Sequence, residues 1–295
     1  MSETTFQTYW HEHDAWSATA NRLKASRDRY RTVVLFLTIA GAALSTFAAG
    51  STGPAARTAA GIAGAAALAV VPFLTRYFLS AEKTRNWLRA RSISEGIKSE
   101  IYLCRAGAEP YDGPKALATL TQKVREIRDW GKTLEIERAR TIVPDRPAPP
   151  PLDPASYIAN RVRQQIDKYY RPKARQFAVR SEQFRQAEII LAASAAVLGA
   201  VATYFGDSGL KMLGPWVAVL TTIGGSIAAH AAASRFDFQA TTFYATARQL
   251  EDLIQDWESS GKTAPGKEWS GFVHGCEEAI SAENRGWMAK LDENA

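Results

Sequence analysis

Four apolar, charge-poor blocks interrupt a chain that is otherwise densely polar. They run from about Val33 to Gly50, Thr58 to Leu79, Ile189 to Phe205 and Leu213 to Ser234. Each is roughly 17 to 22 residues long, the length at which a helix rising 1.5 Å per residue covers about 30 Å of hydrocarbon. The blocks fall in pairs, joined by the short turns STGPAAR (residues 51–57) and GDSGLKM (206–212). The pattern predicts an all-α integral membrane protein with four transmembrane helices arranged as two hairpins.

A buried hairpin in a soluble protein is the competing explanation. A soluble core helix rarely lacks charge on every side for this length, and here that would have to happen four times. Each span is nevertheless modest alone, because alanine is nearly neutral on insertion scales. The Val, Leu, Ile and Phe residues of the first block supply roughly −2 to −5 kcal/mol. Pairing into hairpins that insert as units compensates for this. Gly41, Ser45 and Ala49 recur every fourth residue in the first block, as do Gly224 and Ala228 in the fourth. Gly61, Gly64 and Ala65 crowd the second, so close backbone approach is expected. Pro72 is expected to kink the second span.

The polar stretches also carry helical periodicity. Trp10–Arg31 should lead into span one, and span two should continue through Glu82 to about Ala106. A further helix is expected over Pro114–Arg140, with Leu117, Leu120, Val124, Ile127 and Leu134 on one face. Ile158, Val162, Ile166 and Tyr169 form a stripe before span three, on a helix that Pro172 should bend. Leu250, Leu253, Ile254 and Trp257 form another after span four, and a last helix from near Lys267 carries Trp269, Phe272, Val273 and Ile280. Together these predict a cytoplasmic helical bundle or coiled packing between subunits. The Pro-rich stretch from Val143 to Pro154 should be a stiff extended linker. It divides the chain into residues 1–142 and 155–295, which repeat one plan: polar helix, apolar hairpin, polar helices. WLRARSISE from Trp87 also lines up with YATARQLED from Tyr244, which suggests a tandem duplication.

Charge sets the topology. Arg22, Lys24, Arg27, Arg29 and Arg31 precede span one, and Lys83, Arg85, Arg89 and Arg91 follow span two, whereas the hairpin tips carry only Arg57 and Lys211. The positive-inside rule places both termini and the central region in the cytoplasm. The net charge of +6 sits at the ends of the apolar blocks, which fits lipid headgroups and not nucleic acid. Tyr30, Tyr77 and Trp216 lie where interfacial aromatics belong, and Arg76 is close enough to the boundary to snorkel. The first 31 residues hold no apolar core of a cleavable leader. Cys104 and Cys276, far apart in polar stretches, are expected as reduced thiols.

No Walker loop, dinucleotide fingerprint, HExxH or GxSxG occurs, so no enzyme, cofactor or metal site is expected. His11 and His13 point apart on a helix and share no metal. Thr222, Ser226 and His230 fall at i, i+4 and i+8 on one face. They are read either as interhelical hydrogen-bonding groups or as a titratable pore lining, to which Thr38, Ser45 and Ser194 would contribute. Glu188 is expected to cap the start of span three.

The stretch from Trp87 to Tyr111, with Ala90, Arg91, Glu95 and Lys98 followed by AEPY, resembles one subtype of the SLATT family, the SMODS- and SLOG-associating two-transmembrane effector domains. The second half resembles another subtype. Its motif covers Tyr157, Arg161, Gln165, Tyr169, Tyr170, Lys173 and Ala174, and its terminal helix carries Glu277, Glu283 and Trp287. The resemblance implies two tandem copies and a bacterial inner-membrane effector of a conflict, anti-phage or stress system; a pore through helices this thin would need a homo-oligomer. Such effectors perforate the membrane when a cytoplasmic sensor or nucleotide-signalling partner activates them. The residues themselves leave two functions open: an oligomeric pore or ion channel, and a non-conducting, membrane-anchored scaffold or signalling protein.

Overall fold

The computed structural model describes residues 2–143, 146–205, 213–261 and 266–292, with side chains from 3 to 282. All regular structure among them is helical. The order is α1 (Ser2–Gly50), α2 (Pro54–Phe78), α3 (Ala81–Arg105), α4 (Ala116–Asp129), a 3₁₀ turn (Lys132–Leu134), α5 (Glu135–Ala139), α6 (Pro154–Tyr157), α7 (Arg171–Tyr204), α8 (Gly214–Ser234), α9 (Phe236–Ser259) and α10 (Lys267–Asp292). Two π-helical runs, Ile158–Arg163 and Ile166–Tyr170, connect α6 to α7.

Among the described residues four helices are long and apolar enough to cross a membrane, and each covers one of the four blocks to within a residue. Between 0% and 11% of their apolar windows is buried within the chain. Phe36, Ile62, Phe73, Ile189 and Val197 are each more than 60% exposed. A soluble hairpin would hide such side chains, whereas lipid solvates them at no cost.

The residues gather into two compact units that cut across the sequence halves. A polar unit comprises Met1–Ala25, Ala81–Ala174 and Thr241–Ala295; an apolar unit comprises Ser26–Ser80 and Arg175–Ala240. Each half of the sequence contributes to both.

In the apolar unit the first hairpin crosses at glycine. A Cβ on Gly64 would stand 2.7 Å from Ser45 Oγ and 3.0–3.1 Å from backbone atoms of α1. One on Gly41 would meet Leu68 at 2.6 Å. Tyr30 stacks on Phe78 at 3.6 Å. The second hairpin is looser: a Cβ on Gly224 would meet Leu191 only at 4.0 Å, and one on Gly225 would find no other part of the chain within 4 Å among the described residues. Its tip, residues 206–212, lies outside the described residues. Helix α2 runs unbroken through Pro72.

The polar unit is a helical bundle with α3 at its centre, packed against α4 and α10. Ile93, Ile97 and Ile101 are fully buried. Trp269 donates its indole N–H to Ala106 O at 2.8 Å, and Glu109 N–H donates to Ser270 Oγ, so first-half and second-half helices share one core.

Several predicted boundaries differ. Span two does not continue into α3, because the helix ends at Phe78 and restarts at Ala81. The expected 114–140 helix breaks at Trp130–Gly131. A Cβ on Gly131 would lie 2.5 Å from the ring of buried Trp16, so the chain turns there to seat that indole. Glu188 lies inside the continuous α7, so it caps no helix start. Ahead of Pro172 the helix widens into π turns, and the buried stripe is Ile158, Val162, Ile166 and Tyr170, with Tyr169 half-buried.

Candidate functional site

The membrane-facing candidates do not share one setting. Thr38 donates its hydroxyl to Val34 O, Thr222 to Ala218 O and Ser226 to Thr222 O, all at 2.8–2.9 Å. Each hydroxyl is thus satisfied by the carbonyl one turn back in its own helix, the arrangement that lets Ser and Thr sit in hydrocarbon without a partner. Ser45 stands over Gly64 at the first hairpin crossing, and Ser194 is exposed on α7. His230 stacks on Phe184 with ring centroids 5.5 Å apart, and its Nδ1 is buried without a hydrogen bond among the described residues.

The polar unit contains a cavity of about 320 Å³ walled by Trp10, His13, Ser17, Arg91, Glu95, Lys98, Tyr102, Arg146, Gln165, Tyr169, Tyr170 and Ile280. Helical spacing explains the walls. On α1, Trp10, His13 and Ser17 stand at i, i+3 and i+7; on α3, Arg91, Glu95, Lys98 and Tyr102 stand at i, i+4, i+7 and i+11. The π-helical segments add Gln165, Tyr169 and Tyr170. A π turn carries more residues than an α turn, and such turns recur at functional sites.

Charges are organised around this space. Arg91 pairs with Glu95 at 3.1 Å. Burial pushes the Glu95 carboxyl up, but Lys98, Arg91 and Arg161 outweigh it and hold the group at about 2. Burial lowers the Lys98 ammonium to about 8, with Glu95 only partly offsetting the effect. No direct ion pair among the described residues uses Lys98. His13 Nδ1 lies 2.9 Å from both the Oγ and the carbonyl oxygen of Ser94. Burial, reinforced by Lys98, lowers its imidazole to about 4, so it is neutral at pH 7. Arg146 pairs with buried Asp14.

Beside the cavity lies a buried ion pair. Arg161 donates Nε–H to Glu277 Oε1 at 2.8 Å and Nη2–H to Oε2 at 2.7 Å, and Tyr157 donates its hydroxyl to Oε1 at 2.9 Å. The Arg161 guanidinium lies 4.1 Å from the Tyr102 ring centre, and its Nη1 is buried without a partner. Burial works against this charge, but Glu277 prevails and holds it protonated.

The structure therefore brings Arg91, Glu95, Lys98, Gln165 and Tyr169 to one cavity and places Arg161 next to it. The side chains of Glu283 and Trp287 lie outside the described residues. Sequence reasoning missed Trp10, His13, Ser17 and Arg146. The first three share a helix face that was visible in their spacing, but Arg146 sits in the linker and carries no local signal. Among the described residues no group of His, Cys, Asp or Glu is placed to hold a metal ion.

Four apolar spans joined to a polar helical bundle define a multi-pass helical membrane protein. Residues 157–287 match the SMODS and SLOG-associating 2TM effector domain 1, a region that holds the π turns, the second hairpin and the Arg161–Glu277 pair. Residues 14–118 match a different family, described as a protein of unknown function (DUF4231). One SLATT domain is thus supported, and the expected second copy of another subtype is not shown. No curated protein and no solved structure matches the chain.

Proposed function

We propose that this protein is a membrane effector of a bacterial conflict or stress system, and that several copies assemble into a pore through the inner membrane. The observation that carries the proposal is the near absence of burial along the spans of a chain whose second half matches a two-transmembrane effector domain. Surfaces that a single chain leaves open are covered by lipid on one side and by other copies on the other. Small-residue faces of α8, which meet little within one chain, suit such close contact. Four thin helices leave little room for a path inside one subunit, so conduction requires several subunits around an axis. Both termini and the polar unit lie in the cytoplasm, following the basic residues that flank the spans. The first half is a diverged second copy of the same plan, and the function requires no catalysis. A sensor or nucleotide-signalling partner acts on the polar unit.

Conductance in liposomes reconstituted with the oligomer tests this, with ion flux expected. Vesicles that stay tight at full occupancy would overturn it. They would favour the non-conducting scaffold, which the back-bonded hydroxyls of Thr38, Thr222 and Ser226 also suit.

A further inference from the structure

The cavity of the polar unit has a shape and chemistry that the membrane spans do not explain. Its volume, about 320 Å³, lies at the lower end of the range of small-molecule pockets. Four of its walls are aromatic: Trp10, Tyr102, Tyr169 and Tyr170. Flat rings of this kind offer stacking faces to a planar ligand. Its cations outnumber its anions. Arg91, Lys98 and Arg146 line it together with the single carboxylate Glu95, and His13 is neutral. Arg91 and Arg146 are matched by Glu95 and Asp14, which leaves Lys98 as the surplus positive charge.

One polar group of the lining and one beside it are also unmatched. The indole N–H of Trp10, a residue only 8% exposed, has no hydrogen-bond partner among the described residues, nor does Nη1 of Arg161 behind Tyr102. Buried donors without acceptors are uncommon in folded proteins and are expected to find one in water or a ligand. Donors and a surplus cation call for an anion, and the rings call for a flat group attached to it.

We infer that this cavity binds a phosphorylated small molecule bearing a planar ring, of the size of one nucleoside monophosphate, with Lys98 on the phosphate and the aromatic walls against the ring. The phosphate adds a direct counter-charge for Lys98 beyond the more distant pull of Glu95 and Glu277, which favours the charged ammonium against the burial that lowers it to about 8. The walls come from α1, α3, the linker, the π turns and α10, so an occupant ties both sequence halves together. Binding here is independent of the pore proposal: a protein that binds without conducting keeps this inference and loses that one.

The test is calorimetric titration of the full-length protein in lipid nanodiscs with adenosine 5′-monophosphate. The guanosine and uridine analogues run beside it, with adenosine and inorganic phosphate as the separate halves. Saturable binding of at least one monophosphate, one per chain and below about 1 mM, is expected, with both halves at least about tenfold weaker. Lys98→Met should weaken binding at least about tenfold, and Lys98→Arg should restore most of it. Lys98→Met also withdraws a cation that supports the buried Glu95 carboxylate, so thermal unfolding is measured beside binding. The charge-neutral double change Lys98→Met with Glu95→Gln, which removes both groups, should stay folded and still bind at least about tenfold more weakly than wild type. No binding of any monophosphate at about 5 mM overturns the inference. So does unchanged affinity in Lys98→Met, and phosphate alone binding as well as the nucleotide overturns the role given to the rings.

Discussion

Replacing Glu277 by Gln should destabilise the polar unit severely. The carboxylate accepts two hydrogen bonds from Arg161 and one from the Tyr157 hydroxyl, at 2.7–2.9 Å. Arg161 and Glu277 are each only 2% exposed. Gln keeps the volume and one acceptor, so packing is preserved while the counter-charge and the second acceptor are lost. Removing one partner of a buried pair typically costs about 3–5 kcal/mol, because the remaining charge stays desolvated. That is roughly a hundredfold to several thousandfold in the folding equilibrium. Tyr102, whose ring lies under the guanidinium, cannot substitute for a carboxylate. Urea unfolding in detergent micelles measures the change. Trp257 and Trp269, 5.2 Å apart with Trp269 against Tyr157, give a fluorescence signal from this region. The double change Arg161→Met with Glu277→Leu is the informative control. It removes the attraction and the desolvation together, and should return stability to within about 2 kcal/mol of wild type. A loss below about 1 kcal/mol in Glu277→Gln would refute the claim that Arg161 depends on this carboxylate.

Three further outcomes are expected. Gly64→Val should weaken the first hairpin by about 1–3 kcal/mol in micelle unfolding, because its side chain enters the Gly41–Ser45 backbone, whereas Gly225→Val meets open space and should cost far less. Stability should fall as the pH drops from about 6.5 toward 4. His13 is held at about 4 when folded and returns to its ordinary value when unfolded, so the unfolded state binds the proton first. The loss is on the order of 3 kcal/mol, and His13→Gln should flatten that part of the profile, before Glu95 begins to protonate at lower pH. Thr222→Leu with Ser226→Leu should reduce ion flux without loss of assembly if α8 lines the path; unchanged flux would remove that face.

Much of the organisation was legible because it rests on local composition. The C-terminal ends of α1 and α7 and both ends of α8 follow the apolar blocks closely, and Gly64 was recognisable as a small-residue contact. The turn at Gly131 was not, because it answers to Trp16, more than a hundred residues away. The π turns were hidden for a similar reason. Residues 158, 162, 166 and 169 read as an ordinary helical stripe, and the wider winding depends on what packs against it.

The cavity divides in the same way. Arg91, Glu95, Lys98, Gln165 and Tyr169 were singled out by a motif, yet nothing in the motif says that they meet. The sequence by itself determined four spans paired into two hairpins. Crossing hydrocarbon is a condition on about twenty consecutive residues, and each block is long enough to meet it, with its neighbour in the hairpin making up for modest hydrophobicity. Only the tertiary structure decided that Trp10, Lys98, Arg146, Tyr169 and Ile280 enclose one space, and that Arg161 finds its counter-charge at Glu277. A buried charge needs its partner at hydrogen-bond distance whatever the separation along the chain, and packing alone supplies that distance.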